Sequence, residues 1–81
     1  MPFYTYILQS IASGHKYYGS CEDVEIRLAR HNAEKVKSSK RYAPYNILYT
    51  EEYPTRSDAF KREKFFKTLQ GYNYLKSKGI I

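Results

Sequence analysis

The aromatic and β-branched residues of this chain fall into runs that predict three β-strands. The first run is Phe3–Leu8, and the clearest is Tyr45–Tyr53, which Pro54 ends. Between them, the turn-prone segment Ser10–Gly14 leads into His15–Gly19, which predicts the returning strand of an antiparallel hairpin. Three such strands can form a sheet with one packed face.

Apolar residues at helical spacing predict three further elements. Asp23 can accept a backbone N–H bond as the N-cap of the first helix, and Gly71 is expected to interrupt the pattern between the second helix and the third. The expected bounds are Asp23 to about Ala33, Thr55 or Ser57 to Leu69, and Tyr72–Lys78. The element order is therefore β-β-α-β-α-α, which is typical of an α+β fold.

Composition and charge indicate that the binding partner of this protein is anionic. We expect one domain over residues 1–81, and the formal charge of +6 with a pI near 9.5 favours nucleic acid first and an acidic membrane surface second. The basic segment from Ala33 to Pro44 is expected to be a mobile loop that becomes ordered on a polyanion. The expected phosphate-contacting residues are Arg30, Lys35, Lys37, Lys40 and Arg41. Such contacts position a nucleic acid without specifying its sequence.

The single cysteine limits the chemistry and the compartment. Cys21 excludes an internal disulfide and a multi-cysteine zinc site. A Cys21–His31 nucleophilic pair is conceivable, but no third group is evident to orient it, so a packing role for Cys21 is favoured. The chain has no long apolar run and no signal-peptide pattern, and we therefore expect a cytoplasmic protein with no membrane partner.

One face of the first predicted helix carries three cationic or titratable side chains. On a wheel of ~100° per residue with Val24 at zero, Arg30, Arg27 and His31 fall between ~240° and ~340°. A solvated face and a binding site explain this stripe equally well.

A carboxylate interrupts the apolar face of the second predicted helix. Ala59 at zero, Phe66 at ~340°, Leu69 at ~280° and Phe60 at ~100° define the face expected to be buried, and Glu63 falls inside it at ~40°. Burying an unpaired carboxylate is unfavourable, so Glu63 needs a cation. The alternatives are a salt bridge to a Lys or Arg side chain, a position at the rim of the apolar face, and a role as a metal ligand.

Five features taken together resemble the GIY-YIG nuclease superfamily, in particular its small, stand-alone bacterial members. They are the tripeptides Tyr4-Thr5-Tyr6 and Tyr17-Tyr18-Gly19, followed by Arg27, His31 and Glu63. The resemblance extends over residues 3–75. The first tripeptide departs from Gly-Ile-Tyr, and the second has a tyrosine in place of isoleucine. The positions that match the functional tyrosines, Tyr6 and Tyr17, are kept.

The resemblance implies a three-stranded antiparallel sheet flanked by helices, and metal-dependent hydrolysis of DNA phosphodiester bonds. It implies that Glu63 is the one protein carboxylate holding a single Mg²⁺ or Mn²⁺ ion, with water and substrate oxygens as the other ligands. Arg27 would grip the scissile phosphate and stabilise the transition state. DNA is accordingly the expected partner.

The remaining implied roles concern the attacking water. Tyr17 would activate it, which a phenol with a pKa near ~10 can do only if adjacent cations stabilise the phenolate. Tyr6 and His31 would orient water, phosphate or Tyr17, and His31 is also an alternative general base. Asn73 loosely matches an asparagine that many family members carry after the second helix.

Two other functional classes fit the same residues. A non-catalytic nucleic-acid-binding module would keep the fold and the basic, tyrosine-rich face, since fold does not fix function. A protein-interaction domain that uses the aromatic surface is the third interpretation. Salt-sensitive binding of nucleic acid without cleavage would indicate the first of these, and salt-insensitive binding of a protein the second.

Overall fold

The first strand occupies the centre of the sheet and pairs with both others. In the computed structural model, which describes residues 1–81, the elements are β1 (Phe3–Ser10), β2 (Lys16–Cys21), α1 (Val24–Asn32), a 3-10 helix (Lys40–Tyr42), β3 (Tyr45–Tyr53), α2 (Arg56–Phe66) and α3 (Leu69–Ser77). The strand order is β2-β1-β3, and both pairs are antiparallel. The expected α+β fold with the order β-β-α-β-α-α is confirmed, and the bounds of β3 match the prediction.

The hairpin register brings the tyrosines of the two tripeptides onto one face of the sheet. Tyr6 pairs with Gly19 and Leu8 with Tyr17, so Tyr17 lies diagonal to Tyr6. Their ring centroids are 6.5 Å apart. A shift of the register by one residue would place the two rings on opposite faces.

Helices cover both faces of the sheet, as expected for a sheet flanked by helices. Neighbouring residues of a strand point to opposite faces. Tyr6 accordingly meets His31 of α1 on one side, whereas Ile7 packs on the other side with Phe66 of α2 and Leu75 of α3. The sheet separates α1 from the α2–α3 pair, so a site that uses both must be built around an edge of the sheet.

A side-chain oxygen caps the start of each α-helix. Asp23 accepts a backbone N–H bond at the start of α1, as predicted. Thr55, and not Ser57, caps α2, and Thr68 accepts from the backbone N–H of Gly71 at the start of α3. None of the three helices is long and apolar enough to cross a membrane.

The second helix ends three residues earlier than the apolar pattern predicted, at Phe66 and not at Leu69. Since α2 ends at Phe66 and Thr68 begins a new helix, Leu69 lies in α3, with 74 % of its surface exposed. Phe60, at the margin of the predicted face, is 48 % exposed. The prediction that Leu69 and Phe60 are buried was therefore wrong. Leu69 was misplaced because the wheel was extended beyond the end of α2, whereas Phe60 lies within α2 and is half-exposed at the margin of the buried face.

Gly71 was expected to separate the second helix from the third, but it lies inside α3. It is buried, and a Cβ atom at this position would collide with the carbonyl oxygen of Phe65 near the end of α2. A residue with a side chain would push α3 away from α2, so the glycine reflects close helix contact and not a helix break.

The basic segment between α1 and β3 is folded, in contrast to the mobile loop expected. It contains the 3-10 helix, and the carbonyl of the fully buried Ser39 accepts from the Tyr45 hydroxyl at 2.9 Å. Tyr42 stacks on His15 of the hairpin turn, with ring centroids 4.1 Å apart. These contacts tie the segment to the sheet.

Candidate active site

Tyr6 and His31 meet in the closed interior between the sheet and α1. Tyr6 is 2 % exposed, and His31 is fully buried. The Tyr6 hydroxyl lies 3.3 Å from His31 Nε2, and His31 Nδ1 lies 2.5 Å from Ser39 Oγ. Ser39 Oγ donates in turn to the carbonyl of Val36 at 3.3 Å. Ser39 therefore accepts from Nδ1–H, which leaves Nε2 to accept from the Tyr6 hydroxyl.

The electrostatic environment favours this neutral arrangement. Burial and the nearby charges of Arg27 and Arg30 lower the pKa of His31. Burial raises the pKa of Tyr6 well above its ordinary value, although Arg27 opposes that shift. At neutral pH, His31 is thus an uncharged acceptor and Tyr6 a protonated donor.

Tyr17 reaches the same interior from β2. Its ring centroid lies 4.5 Å from that of His31, while the residue as a whole remains partly exposed. On the same strand, a Cβ atom on Gly19 would collide with the ring and hydroxyl of Tyr6. Only glycine permits this approach of a ring to the backbone, which explains the glycine of the second tripeptide.

An open cleft of about 320 Å³ beside α1 gathers three arginines, Arg27, Arg30 and Arg56. Its two carboxylates already have partners, because Glu22 pairs with Arg56 of the same cleft at 3.1 Å and Asp23 caps α1. Neither Arg27 nor Arg30 has a carboxylate within ion-pair distance. Two unpaired guanidinium groups suit a ligand that carries phosphate charge.

Cys21 also lines this cleft but is a poor nucleophile. It is 7 % exposed, and burial raises the pKa of its thiol, with Arg27 opposing the shift. His31 bonds to Tyr6 and Ser39 and not to Cys21. The geometry favours the packing role for Cys21.

Glu63 lies in α2, on the other side of β2. Its side chain is 13 % exposed. Oε1 accepts from the Ser20 hydroxyl and Oε2 from Lys67 Nζ, each at 2.8 Å. Glu63 is therefore partly buried, and the cation beside it is Lys67, which corresponds to the salt-bridge alternative.

The surroundings of Glu63 fit one hard cation held by a single carboxylate. No group of three or more His, Cys, Asp or Glu side chains is arranged to hold a metal ion, and the side chains that contact Glu63 are Ser20 and Lys67. Each of its oxygens accepts one hydrogen bond and keeps a further lone pair. Lys67 is 52 % exposed on a flexible side chain, and its contact can be exchanged. A divalent ion that keeps most of its waters suits such a site.

The two halves of the site lie on opposite sides of β2, which is an edge strand. Ser20, which holds Glu63, directly follows Gly19 on this strand. Burial raises the pKa of Tyr6, the positive charge of Arg27 lowers it, and the negative charge of Glu63 raises it. Both charged groups therefore lie within electrostatic reach of the Tyr6 hydroxyl.

The family model described as the GIY-YIG catalytic domain matches residues 2–75 of this chain. The chain belongs to the GIY-YIG family. The resemblance predicted from the two tyrosine tripeptides and the residues that follow them is thereby confirmed.

Small bacterial proteins are similar to this GIY-YIG chain. The UPF0213 protein SSP2268 of Staphylococcus saprophyticus is 35 % identical over 74 residues, which cover 90 % of this chain and 89 % of the relative. The UPF0213 protein SERP0126 of Staphylococcus epidermidis is 39 % identical over 64 residues, 78 % of each chain. The solution NMR structure of the UPF0213 protein BH0048 from Bacillus halodurans is 28 % identical, with a TM-score of 0.54, over 95 % of this chain and 84 % of that one.

The two residues that replace the isoleucines of the GIY-YIG tripeptides lie on the side of the sheet that faces α2 and α3. Thr5, in place of isoleucine, is buried and donates to the carbonyl of Ala59 at 2.6 Å. Tyr18, in place of the other isoleucine, lies near Phe66, with ring centroids 6.5 Å apart. These two replacements therefore lie on the face opposite to Tyr6 and His31, whereas Tyr4, in place of glycine, lies two residues before Tyr6 on the same face.

Some of the predicted residues lie outside the GIY-YIG site. Arg30 lines the arginine cleft at the side of α1. The exposed basic residues beyond the C-terminal end of α1 are Lys35, Lys37, Lys40 and Arg41. Asn73 is exposed on α3 and forms none of the hydrogen bonds that link the site.

Three supporting residues escaped the sequence analysis. Ser39 has no local signal, because it reaches His31 only after the basic segment folds back over α1. Ser20 follows the second tripeptide, but its partner lies in α2. The spacing of Lys67, four residues after Glu63, is visible in the sequence and is the signal that was available.

Proposed function

We propose that this chain is a divalent-metal-dependent endonuclease that hydrolyses phosphodiester bonds of DNA. The observation that carries the proposal is the grouping of a buried tyrosine–histidine pair, a partly exposed tyrosine, an unpaired arginine and a largely buried glutamate around one sheet edge. Membership of the GIY-YIG family supports the same class of reaction. In this proposal, residues 1–81 form one catalytic domain.

Arg27 is assigned to the scissile phosphate. Its side chain lines the cleft, forms no ion pair and acts electrostatically on the Tyr6 hydroxyl. A planar guanidinium group can donate two parallel hydrogen bonds to phosphate oxygens and stabilise the added negative charge of the transition state. A lysine at this position would keep the charge but lose the paired donors.

Tyr17 is assigned to activation of the attacking water. Burial raises the pKa of Tyr6, and its hydroxyl is already committed to His31, so Tyr6 is unsuited to lose a proton. Both ring nitrogens of His31 are bonded in the buried interior, so His31 orients the tyrosines and does not meet solvent. Tyr17 is partly exposed, so its hydroxyl can meet a water molecule at the edge of the site.

Glu63 is assigned to hold one divalent ion, Mg²⁺ or Mn²⁺. The bound ion would supply Lewis-acid stabilisation of the phosphate charge. Ser20 fixes Oε1 of the carboxylate by a hydrogen bond, and Lys67 would release Oε2. That release is inexpensive, since Lys67 is 52 % exposed and can turn to solvent, and an ion pair with one solvent-exposed partner contributes on the order of 1 kcal/mol.

The basic segment is assigned to the DNA backbone. Arg30 lies in the cleft, and the exposed cations Lys35, Lys37, Lys40 and Arg41 lie past the end of the same helix. A strand that follows α1 would contact both groups. Because these contacts are made to phosphate, affinity should fall steeply with salt and depend little on sequence.

A cleavage time course on supercoiled, nicked and branched DNA with Mg²⁺ or Mn²⁺ tests the proposal. Wild type is compared with Glu63→Ala, Arg27→Ala and a control, Glu52→Ala, which removes an exposed glutamate of β3. We expect the first two variants to lose cleavage and the control to retain it. Equal activity in all four preparations would show contamination and contradict the proposal.

A non-catalytic nucleic-acid-binding module is the second candidate. It is favoured by the ion pair between Lys67 and Glu63, which already neutralises the one carboxylate of the site. This candidate predicts salt-sensitive binding, no cleavage of any substrate, and binding by Glu63→Gln as tight as, or tighter than, that of wild type.

A further inference from the structure

Phe60 is a large aromatic side chain that the fold leaves on the surface beside the candidate site. It is 48 % exposed in α2, one turn before Glu63. No other aromatic ring of the protein stacks on it, and Lys64 Nζ lies 5.2 Å from its ring centroid. A single exposed phenylalanine is ordinary, but this one borders an open cavity of about 450 Å³, which we call the Phe60 cavity.

The walls of the Phe60 cavity have the chemistry of a site for a flat, polar ring. The lining residues are Phe60, Arg56, Ser20 and Ser57, and Arg56 also forms an exposed ion pair with Glu22 at 3.1 Å. Unstacked nucleobases bind to proteins by stacking on aromatic rings and on arginine planes. The volume is also within the range of roughly 300–1,000 Å³ that is typical of small-ligand sites.

The Phe60 cavity adjoins both halves of the candidate site. Arg56 lines it and also lines the cleft that contains Arg27. Ser20 lines it and donates to Glu63. A nucleotide whose phosphate lies between Arg27 and Glu63 therefore has a base, its own or that of its neighbour, within reach of Phe60.

We propose that Phe60 and Arg56 bind one nucleobase, turned out of its stack, next to the scissile phosphate. This inference rests on the proposed function and names its substrate class. DNA in which a base leaves the stack easily, at a bulge, a nick or a frayed end, binds more tightly than an intact duplex, which has to unstack a base first.

A binding measurement without divalent ions tests this inference independently of cleavage. The probe is a fluorescent duplex with a one-nucleotide bulge, whose bulged nucleotide is either intact or abasic. Its affinity is measured for wild type, Phe60→Ala, Phe60→Trp and the control Tyr72→Ala. Tyr72 is closely matched, at 46 % exposure with Lys76 Nζ 5.7 Å from its ring centroid, but it lies on α3 and does not line the cavity.

We expect the abasic bulge to bind wild type, Phe60→Trp and Tyr72→Ala roughly tenfold more weakly than the intact bulge. Phe60→Ala should bind both probes equally, at the level of wild type with the abasic probe. A full preference for the intact bulge in Phe60→Ala, or no preference in wild type, would overturn the inference. If one of these two results is found for a protein that still cleaves DNA, only the proposed base site is wrong. If the protein binds no DNA at all, the proposed function is wrong as well.

Discussion

Glu51 of β3 and Glu63 of α2 are buried to nearly the same extent, with side chains 15 % and 13 % exposed. The hydroxyls of Tyr49 and Tyr53 donate to Glu51 at 2.7 and 2.6 Å, and Arg62 Nε donates at 2.8 Å. Glu63 instead accepts from one serine hydroxyl and one half-exposed lysine. The availability of a buried carboxylate for a ligand thus depends on its partners more than on its burial.

The main donor to Glu51 is itself immobilised. Three aromatic ring centroids lie 4.7 to 4.9 Å from the Arg62 guanidinium carbon, those of Phe65, Phe66 and Tyr74. The hydrogen bond to Glu51 raises the pKa of Tyr49 to about 12, and burial together with the same carboxylate raises that of Tyr53 to about 12, so both remain donors. Glu51 therefore belongs to a closed structural cluster, and Glu63 to an open one.

The largest difference between the two clusters is expected in the free energy of unfolding when Glu51 or Glu63 is removed. Glu51→Ala leaves Arg62 largely buried without its partner, and we expect it to lower the free energy of unfolding by about 3 kcal/mol. Glu63→Ala should lower it by about 1 kcal/mol or less, because Lys67 can turn to solvent. Urea denaturation measures both changes, with Glu52→Ala as the exposed control, and equal losses for Glu51→Ala and Glu63→Ala would contradict the distinction.

The tyrosine–histidine half of the site should behave like the closed cluster. Ser39→Ala removes the acceptor of the buried His31 Nδ1–H, and we expect a loss of about 1–3 kcal/mol in unfolding free energy. Ser39→Thr keeps the hydroxyl and should restore most of this stability. Nitrogen-15 NMR of the imidazole should report the Nδ1–H tautomer in wild type and in Ser39→Thr. An unchanged tautomer and stability in Ser39→Ala would show that Ser39 does not orient His31.

The pH dependence of stability should distinguish the region around His31 from the cluster around Glu51. Burial and the charges of Arg27 and Arg30 lower the pKa of His31, so as the pH falls below 6.5 only the unfolded chain takes up this proton, and stability falls. Burial alone would raise the pKa of Glu51, but the hydrogen bonds from Arg62 and the tyrosines lower it, so its contribution is lost only below pH 4.5.

Urea denaturation across this pH range tests the assignment of the two declines. His31→Gln should remove the decline that begins near pH 6.5 and leave the one below pH 4.5. A decline near pH 6.5 that persists in the variant would assign it to another group.

The smallest effect is expected at Lys67. Lys67→Met should change the free energy of unfolding by less than about 1 kcal/mol, since the ion pair is half-exposed. Because the variant lacks the cation that competes for Oε2, it should bind Mn²⁺ a few-fold more tightly in calorimetry, while Lys67→Arg should resemble wild type. Weaker binding by Lys67→Met would show that Lys67 supports the ion and does not compete with it.

Local patterns were sufficient for much of the fold and for part of the site. The bounds of β3, the Asp23 cap and the partial burial of Glu63 follow from alternation, capping chemistry and helical spacing, which involve only neighbours in the chain. Leu69 was misplaced because Thr68 starts a new helix where the apolar pattern continues unbroken.

The features that could not be predicted depend on contacts between distant segments. Tyr6 and Tyr17 share a face of the sheet because of the strand register. The alternation of side chains along each strand does not determine that register to within one residue, and a one-residue shift would put the two rings on opposite faces. The bond from Ser39 to His31 depends on how the basic segment folds. The closed surroundings of Glu51 form only when α2 packs on β3, so no local pattern distinguishes Glu51 from Glu52, the other glutamate of that strand.

A Mn²⁺ titration followed by NMR tests most directly whether the two halves around β2 form one metal-dependent site. A bound paramagnetic ion broadens the resonances of nearby residues. In wild type, the signals of Glu63, Ser20, Tyr17 and Arg27 should broaden first, while that of Glu51 persists, and Glu63→Gln should show no such selective loss. Broadening that is identical in wild type and Glu63→Gln, or that spares Tyr17 and Arg27, would contradict the account.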